Sequence, residues 1–281
     1  MKYKIILIAL LIITNISVHA KPKIVTSITP LASLIAMLTG DEAEIVAINV
    51  TAGCPHHYQM KPSDKTSLEN AKILIYIDDN FDSFAVKLSG EFTGKIIKIS
   101  DFSSINFRTH SGEINWHFWL DLNNVLALHE QMAKVLIQEF PEFKSTIELN
   151  KNKAQRKIED LIEFKNKELA PLENIVVISD SFEHFFVDSP DNITKLYQKN
   201  HSSLKDYSIL EQTLSNQTPH CLILDANQDD SVYRKFNKKI IKLESENWAN
   251  NGEKVNMPLA DLFYIKYNEM ITQLKGCQAG E

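Results

Sequence analysis

Beyond its first twenty residues the chain has no apolar run of the roughly 20 residues that a membrane-spanning helix needs. It also lacks an excess of positive charge. Without Lys2 and Lys4 of that opening segment, 28 basic residues face 36 acidic ones, a formal charge of −8. This balance excludes nucleic acid or an anionic membrane surface as the main partner. There is no HExxH helix and no nucleophile elbow, so the chain is not expected to be an enzyme, a metallohydrolase included. No internal repeat, low-complexity tract or His-rich loop is present. Cysteine is scarce: Cys54, Cys221 and Cys277. In an exported protein two of them can pair and one is left over, and spacing alone does not choose the pair.

What is present begins with a leader. Lys2 and Lys4 precede a nearly unbroken apolar run over 5–13, and Val18-His19-Ala20 supplies a small-residue ending. The pattern predicts a secretory signal peptide over 1–20, cut after Ala20. No Cys follows the cut and no twin-Arg pair precedes the apolar run, which predicts ordinary export without a lipid anchor.

After the leader, short β-branched runs alternate with amphipathic stretches. Strands are expected at 23–28, 44–50, 72–77 and 95–100, with helices at 30–38, 62–71 and 81–89 between them. This order implies a parallel sheet covered by helices. Helix is then expected over 122–140, and again from Pro141 to about residue 169. The second stretch carries no internal Gly or Pro and reads as a stiff rod joining two lobes. The pattern restarts with strands at 174–178, 221–225 and 238–243 and helices at 181–187, 207–215, 229–237 and 259–274. Segment 188–203 carries no clear pattern. The fold class is α/β: an N-terminal lobe over 21–140, a connecting helix over 141–171 and a C-terminal lobe over 172–281.

In such sheets ligands bind beyond the carboxyl ends of the strands. That rule selects His56 and His57, His117, Ser179 and Asp180, and Glu244, which could line one cleft between the lobes. Imidazole and carboxylate are the usual ligands of zinc and manganese. A ligating ring needs a partner on its second nitrogen, and Asp121, four residues after His117, is the candidate.

These residues carry a resemblance. Ala52-Gly53-Cys54-Pro55-His56-His57-Tyr58, followed by Lys61-Pro62-Ser63-Asp64, resembles the first metal-binding loop of the zinc- and manganese-specific solute-binding proteins of ABC importers. His117-Phe118-Trp119-Leu120-Asp121 resembles the second loop, although Asn115 and Trp116 stand where that family has Asp-Pro. The opening Lys23-Ile24-Val25-Thr26-Ser27-Ile28, with Pro30 and Leu31, matches as well. The third family motif, His or Glu then Asp-Ala-Phe-Gly-Tyr, reads Ser179-Asp180-Ser181-Phe182-Glu183-His184-Phe185 here, so a serine replaces the expected ligand.

The resemblance implies a periplasmic protein, monomeric, that captures one divalent cation between two lobes and hands it to the membrane permease of an ABC importer. Zinc is the expected cation and Mn2+ the alternative. The alternative roles are a manganese-specific member of the same family and a periplasmic metal buffer or chaperone. The expected metal ligands are His56, His117, His184 and Glu244, with His184 taking the place of the missing third imidazole and Asp180 competing for it. Cys221 and Cys277 resemble the disulfide pair of the zinc-specific branch, which leaves Cys54 free.

Overall fold

The computed structural model describes residues 20–49, 58–109, 112–191, 193–198, 204–216, 219, 221–246, 248 and 258–277. Its first sheet contains β1 (Lys23–Ile28), β2 (Glu44–Asn49), β3 (Ala71–Tyr76) and β4 (Lys95–Lys98), all parallel and in the order β2-β1-β3-β4. The second contains β5 (Ile175–Ser179), β6 (Ile193–Gln198), β7 (Cys221–Asp225) and β8 (Lys239–Leu243), also parallel, in the order β6-β5-β7-β8. Each sheet therefore has the same switch point. The chain leaves the central strand to one side and then crosses to the other, opening a crevice at the carboxyl ends of the inner strands. Strands β5 and β7 are buried along their whole length, which is why they read as continuous apolar runs.

Helices cover both sheets: α1 (Thr29–Thr39), α2 (Pro62–Ser67), α3 (Ser83–Ser89), α4 (Leu122–Glu139), α5 (Lys144–Leu169), α6 (Leu204–Asn216) and α7 (Leu259–Leu274). Pro30 opens α1, where a missing N–H costs nothing, and Gly40 ends it at φ +55° with its N–H on the carbonyl of Ala36. A Cβ at Gly40 would be strained by the positive φ and would also stand 2.9 Å from Asn150 Nδ2, displacing that side chain. Every residue of α1 is buried, because α1 lies between α5 and α7. Asp121 caps α4 by accepting from the Asn123 N–H.

Helix α5 is the long connector. Its 26 residues run without a break past 150–152 and span about 39 Å. The buried stripe is Ile147, Ala154, Ile158, Leu161, Lys165 and Leu169. Lys165 places its Nζ 4.9 Å from the centre of the Phe185 ring, and burial pulls its pKa down to about 8 against the charges of Asp121 and Asp188. Helix α7 follows the second sheet in sequence yet packs on α1 and α5, so one continuous apolar core contains residues of both lobes. Two smaller clusters, around Leu74 and around Leu222, fill the far face of each sheet.

Two expected helices differ, and one segment without an expected element forms a strand. Instead of a helix over 181–187, the chain makes a 3-10 turn at Asp180–Phe182 and further turns, which send Phe182, Phe185 and Phe186 all into the core. The i, i+3, i+4 spacing of these rings suggests a helix, but the chain buries all three from turns instead. The 229–237 segment is helical only at Arg234–Phe236, since the Asp229 carboxylate accepts from the N–H and hydroxyl of Ser231 and competes with helical bonding. The unpatterned segment supplies edge strand β6.

The Cys221–Cys277 disulfide ties the start of β7 to the turn after α7 across 56 residues. Closing a loop of that size is worth about 4 kcal/mol in the chain-entropy picture. Urea unfolding of the double Cys→Ser variant should therefore show a loss of ~2–4 kcal/mol, and an unchanged midpoint would contradict the role of the bridge.

His129 of α4 is fully buried. Its Nε2–H donates to the carbonyl of Leu34 in α1 at 3.1 Å, and its Nδ1 has no partner. Burial lowers its pKa to about 4, so the folded protein holds the ring neutral while the unfolded chain takes up a proton below its ordinary pKa near 6.5. Stability is thus complete above that ordinary pKa and falls as the pH drops toward 4, by up to ~3 kcal/mol from this ring. His129→Met should flatten that part of a pH series of urea midpoints. An equally steep acid loss in the variant would assign the slope to other groups.

Candidate metal centre

The second motif sits on a short hairpin. The N–H of Asn115 donates to the carbonyl of Phe107, and Arg108 bridges Ile114 beside it. The chain then enters a 3-10 turn at Phe118–Leu120, closed by the Leu120 N–H on the carbonyl of His117. Phe118, Trp119 and Leu120 are buried and lock the turn in place. His117 stands at its head. Its ring lies edge-on to Phe81 at 5.7 Å and tilted against Trp119 at 5.2 Å, so two of its walls are aromatic and dry.

Both ring nitrogens of His117 are engaged. Nδ1 lies 2.8 Å from the side-chain oxygen of Asn115, and the His117 backbone N–H donates to that same oxygen at 3.0 Å. Nε2 lies 2.6 Å from Glu246 Oε1, which belongs to the other lobe. Burial alone would lower the pKa of His117. The hydrogen bond and charge of Glu246, with the charges of Asp225 and Asp180, more than offset this and leave it raised.

The opposing wall is acidic. Asp180 follows the end of β5 and Asp225 ends β7, so the pair flanks the switch point of the second sheet. Burial raises the pKa of both carboxyls. The hydroxyl of Ser245 and the N–H of Asn227 hold Asp225. The segment carrying Glu246 is pinned by the first lobe. Thr29 Oγ1 donates to the Glu246 carbonyl at 3.4 Å and accepts from the Trp248 N–H at 3.3 Å, while Trp119 Nε1–H donates to the Ser245 carbonyl at 2.9 Å.

The expected residues fall in different places. His56, His57 and Cys54 lie outside the described residues, between Asn49 at the end of β2 and Tyr58. The motif after them is a fixed turn. The Asp64 carboxylate accepts from the Lys61 N–H at 2.6 Å and from the Tyr58 hydroxyl, and Tyr58 packs on Phe84. Together, Asp64 and burial push the Tyr58 pKa up to about 12, with burial the larger cause.

His184 is buried. Its Nε2–H donates to the backbone carbonyl of Asn115 at 2.9 Å, and burial lowers its pKa. The ring thus supports the Asn115 backbone just before His117. Glu244 is half-buried; its carboxylate accepts from the Glu246 N–H at 3.3 Å and its carbonyl accepts from Trp248 Nε1–H. It is therefore Glu246, two residues on, that reaches His117. Ser179 is the last residue of β5 and is buried. Asp121, the expected ring partner, caps α4, and Asn115 takes that role.

Among the described residues, no three His, Cys, Asp or Glu side chains gather closely enough to hold a metal ion. The described half of the centre is one imidazole facing one carboxylate, with two further carboxylates behind. Sequence reasoning missed Glu246, Asp225 and Asn115. Asp225 was within reach of the strand-end rule. Choosing between Glu244 and Glu246 needed the path of the loop.

Two parallel lobes around a connecting helix, with an imidazole opposed to a carboxylate across the cleft, define a two-lobed solute-binding protein. The profile of the family described as zinc-uptake complex component A, periplasmic (ZnuA), matches residues 24–272, and the chain belongs to this family of metal-binding solute-binding proteins of ABC importers. An uncharacterised protein of Rickettsia prowazekii is 38% identical over 273 residues, covering 96% of this chain and 88% of that one. The periplasmic zinc-binding protein TroA from Treponema pallidum superposes with a TM-score of 0.75 at 14% identity, covering 92% of this chain and all (100%) of that one. Fe(III)-bound YtgA from Chlamydia trachomatis superposes with a TM-score of 0.72 at 16% identity, covering 92% and 99%.

Proposed function

We propose that the protein captures zinc in the periplasm and delivers it to the permease of an ABC importer. The observation that carries this reading is the approach of His117 Nε2 to Glu246 Oε1 across the cleft. One proton lies between two good metal ligands from different lobes. A divalent cation inserted there would replace that proton and hold the lobes together. His56, on the first loop, is the third proposed ligand. Asp180 and Asp225 add negative charge that favours a cation, and either carboxylate is within the chemistry needed for a fourth position. In this reading His184 and Glu244, expected from the sequence to bind directly, support Asn115 and Glu246 instead.

Zinc titration by calorimetry of the mature chain tests the ligand set. His117→Ala and Glu246→Ala should each weaken binding at least ~tenfold, whereas Glu244→Gln should leave it within a factor of about three. Full-strength binding by Glu246→Ala would remove Glu246 from the site, and a large loss in Glu244→Gln would restore Glu244.

One observation favours manganese as the second reading. The described half of the centre offers three carboxylates to one imidazole, and oxygen-rich sites suit manganese. Zinc remains first because the loop motif adds His56 and an adjacent His57. In a competition titration at one pH, zinc should displace manganese at equal concentrations. Tighter manganese binding would reverse the assignment while leaving the site intact.

A further inference from the structure

Asn115 belongs to the first lobe, yet its side chain touches both. Its oxygen accepts from the backbone N–H of His117 and from His117 Nδ1. Its amide nitrogen donates to the carbonyl of Asp180 at 2.7 Å and to Glu183 Oε2 at 3.2 Å, both in the second lobe. The orientation of the amide follows from backbone chemistry. A peptide N–H only donates and a carbonyl only accepts, so the oxygen must face His117 and the nitrogen must face Asp180. With the oxygen in that place, His117 Nδ1 must carry a proton, and Nε2 is the nitrogen left for the cleft. Asn115 is 8% exposed, and its own carbonyl accepts from His184 Nε2–H. All four hydrogen-bonding positions of its side-chain amide are occupied.

We propose that Asn115 is a positioning residue that couples the presentation of His117 Nε2 to the approach of the second lobe. Its oxygen sets the ring and its nitrogen reads whether the 180–183 turn has arrived. An aspartate could perform the first task but not the second, because it has no donor for the Asp180 carbonyl and would repel Glu183. The asparagine thus adds a latch between lobes. The link to metal capture rests on the reading of His117 as a ligand; the latch itself does not.

Two variants separate the halves. Asn115→Asp keeps the acceptor for His117 and loses the donor to the second lobe; Asn115→Ala loses both. Two measurements on the metal-free protein read the outcome: the slowly exchanging His117 Nδ1–H proton by NMR, and amide hydrogen exchange over 180–186. Asn115→Asp should keep the ring proton while 180–186 exchanges about tenfold faster, a factor that corresponds to the loss of about one net hydrogen bond. Asn115→Ala should lose the ring proton as well. Glu183→Ala, which leaves Asn115 untouched, should raise exchange over 180–186 with the ring proton retained, and serves if Asn115→Asp does not fold. Unchanged exchange in Asn115→Asp and Glu183→Ala would overturn the latch, and a persistent ring proton in Asn115→Ala would overturn the positioning. Zinc titration is the separate arm. Asn115→Ala should bind at least ~tenfold more weakly than wild type. Equal affinity would overturn the coupling to capture, whereas a wild type that binds no zinc would defeat the metal reading and leave the two metal-free measurements to decide the latch.

Discussion

Helix α1 is buried along its whole length between α5 and α7, and the geometry of the cleft depends on that packing. A helix with no solvent face cannot shift without opening voids on several sides, and interiors packed at crystal density resist this. Ser33 of α1 reinforces the contact by donating to the Leu259 carbonyl and accepting from the Phe263 N–H. Because α1 begins where β1 ends, and α7 returns from the second sheet, the carboxyl ends of the two sheets are held at a fixed separation by one shared core. The acids of the second lobe therefore meet His117 in a defined place.

Among the described residues several polar groups are paired across that cleft. Trp119 and Tyr267 give their donors to carbonyls of the opposite lobe, and Thr29 grips the backbone on both sides of residue 247. Burying such groups unpaired would cost free energy, so each pair favours the closed arrangement over one with the groups dry and separated. The aromatic walls at Phe81 and Trp119 keep water from His117 and strengthen every charge interaction there. Among the described residues His117 meets Glu246 with Asp225 and Asp180 nearby, so this side of the cleft is acidic.

The parallel sheets were legible because most strands are short β-branched runs, and β1, β2 and β3 are each followed by a helical stretch. The connector was legible because 144–169 holds neither Gly nor Pro. Edge strand β6 was not, since Ile193–Gln198 mixes Thr, Lys and Gln with its apolar residues and is held by pairing to β5 alone. The 181–187 segment misled for the opposite reason: Phe182, Phe185 and Phe186 have the spacing of a buried helix face, yet the chain buries them from a 3-10 turn and the turns after it. At the site, His117 stood out as an imidazole after a strand, whereas Asn115 was noted only as a departure from the family motif and carries no charge to mark it as a ring partner.

The sequence by itself determined the α/β alternation, the connecting rod, the loop motifs of the family and the presence of His117 at a strand-end loop, because periodicity and residue chemistry are local properties. Only the tertiary structure decided that Glu246 rather than Glu244 meets His117, that Asn115 rather than Asp121 holds its ring, and that His184 turns to a backbone carbonyl. These choices join residues between 2 and 129 positions apart. They depend on the direction in which a loop leaves its strand and on which donors the opposite lobe presents, and neither is written in any short stretch of the chain.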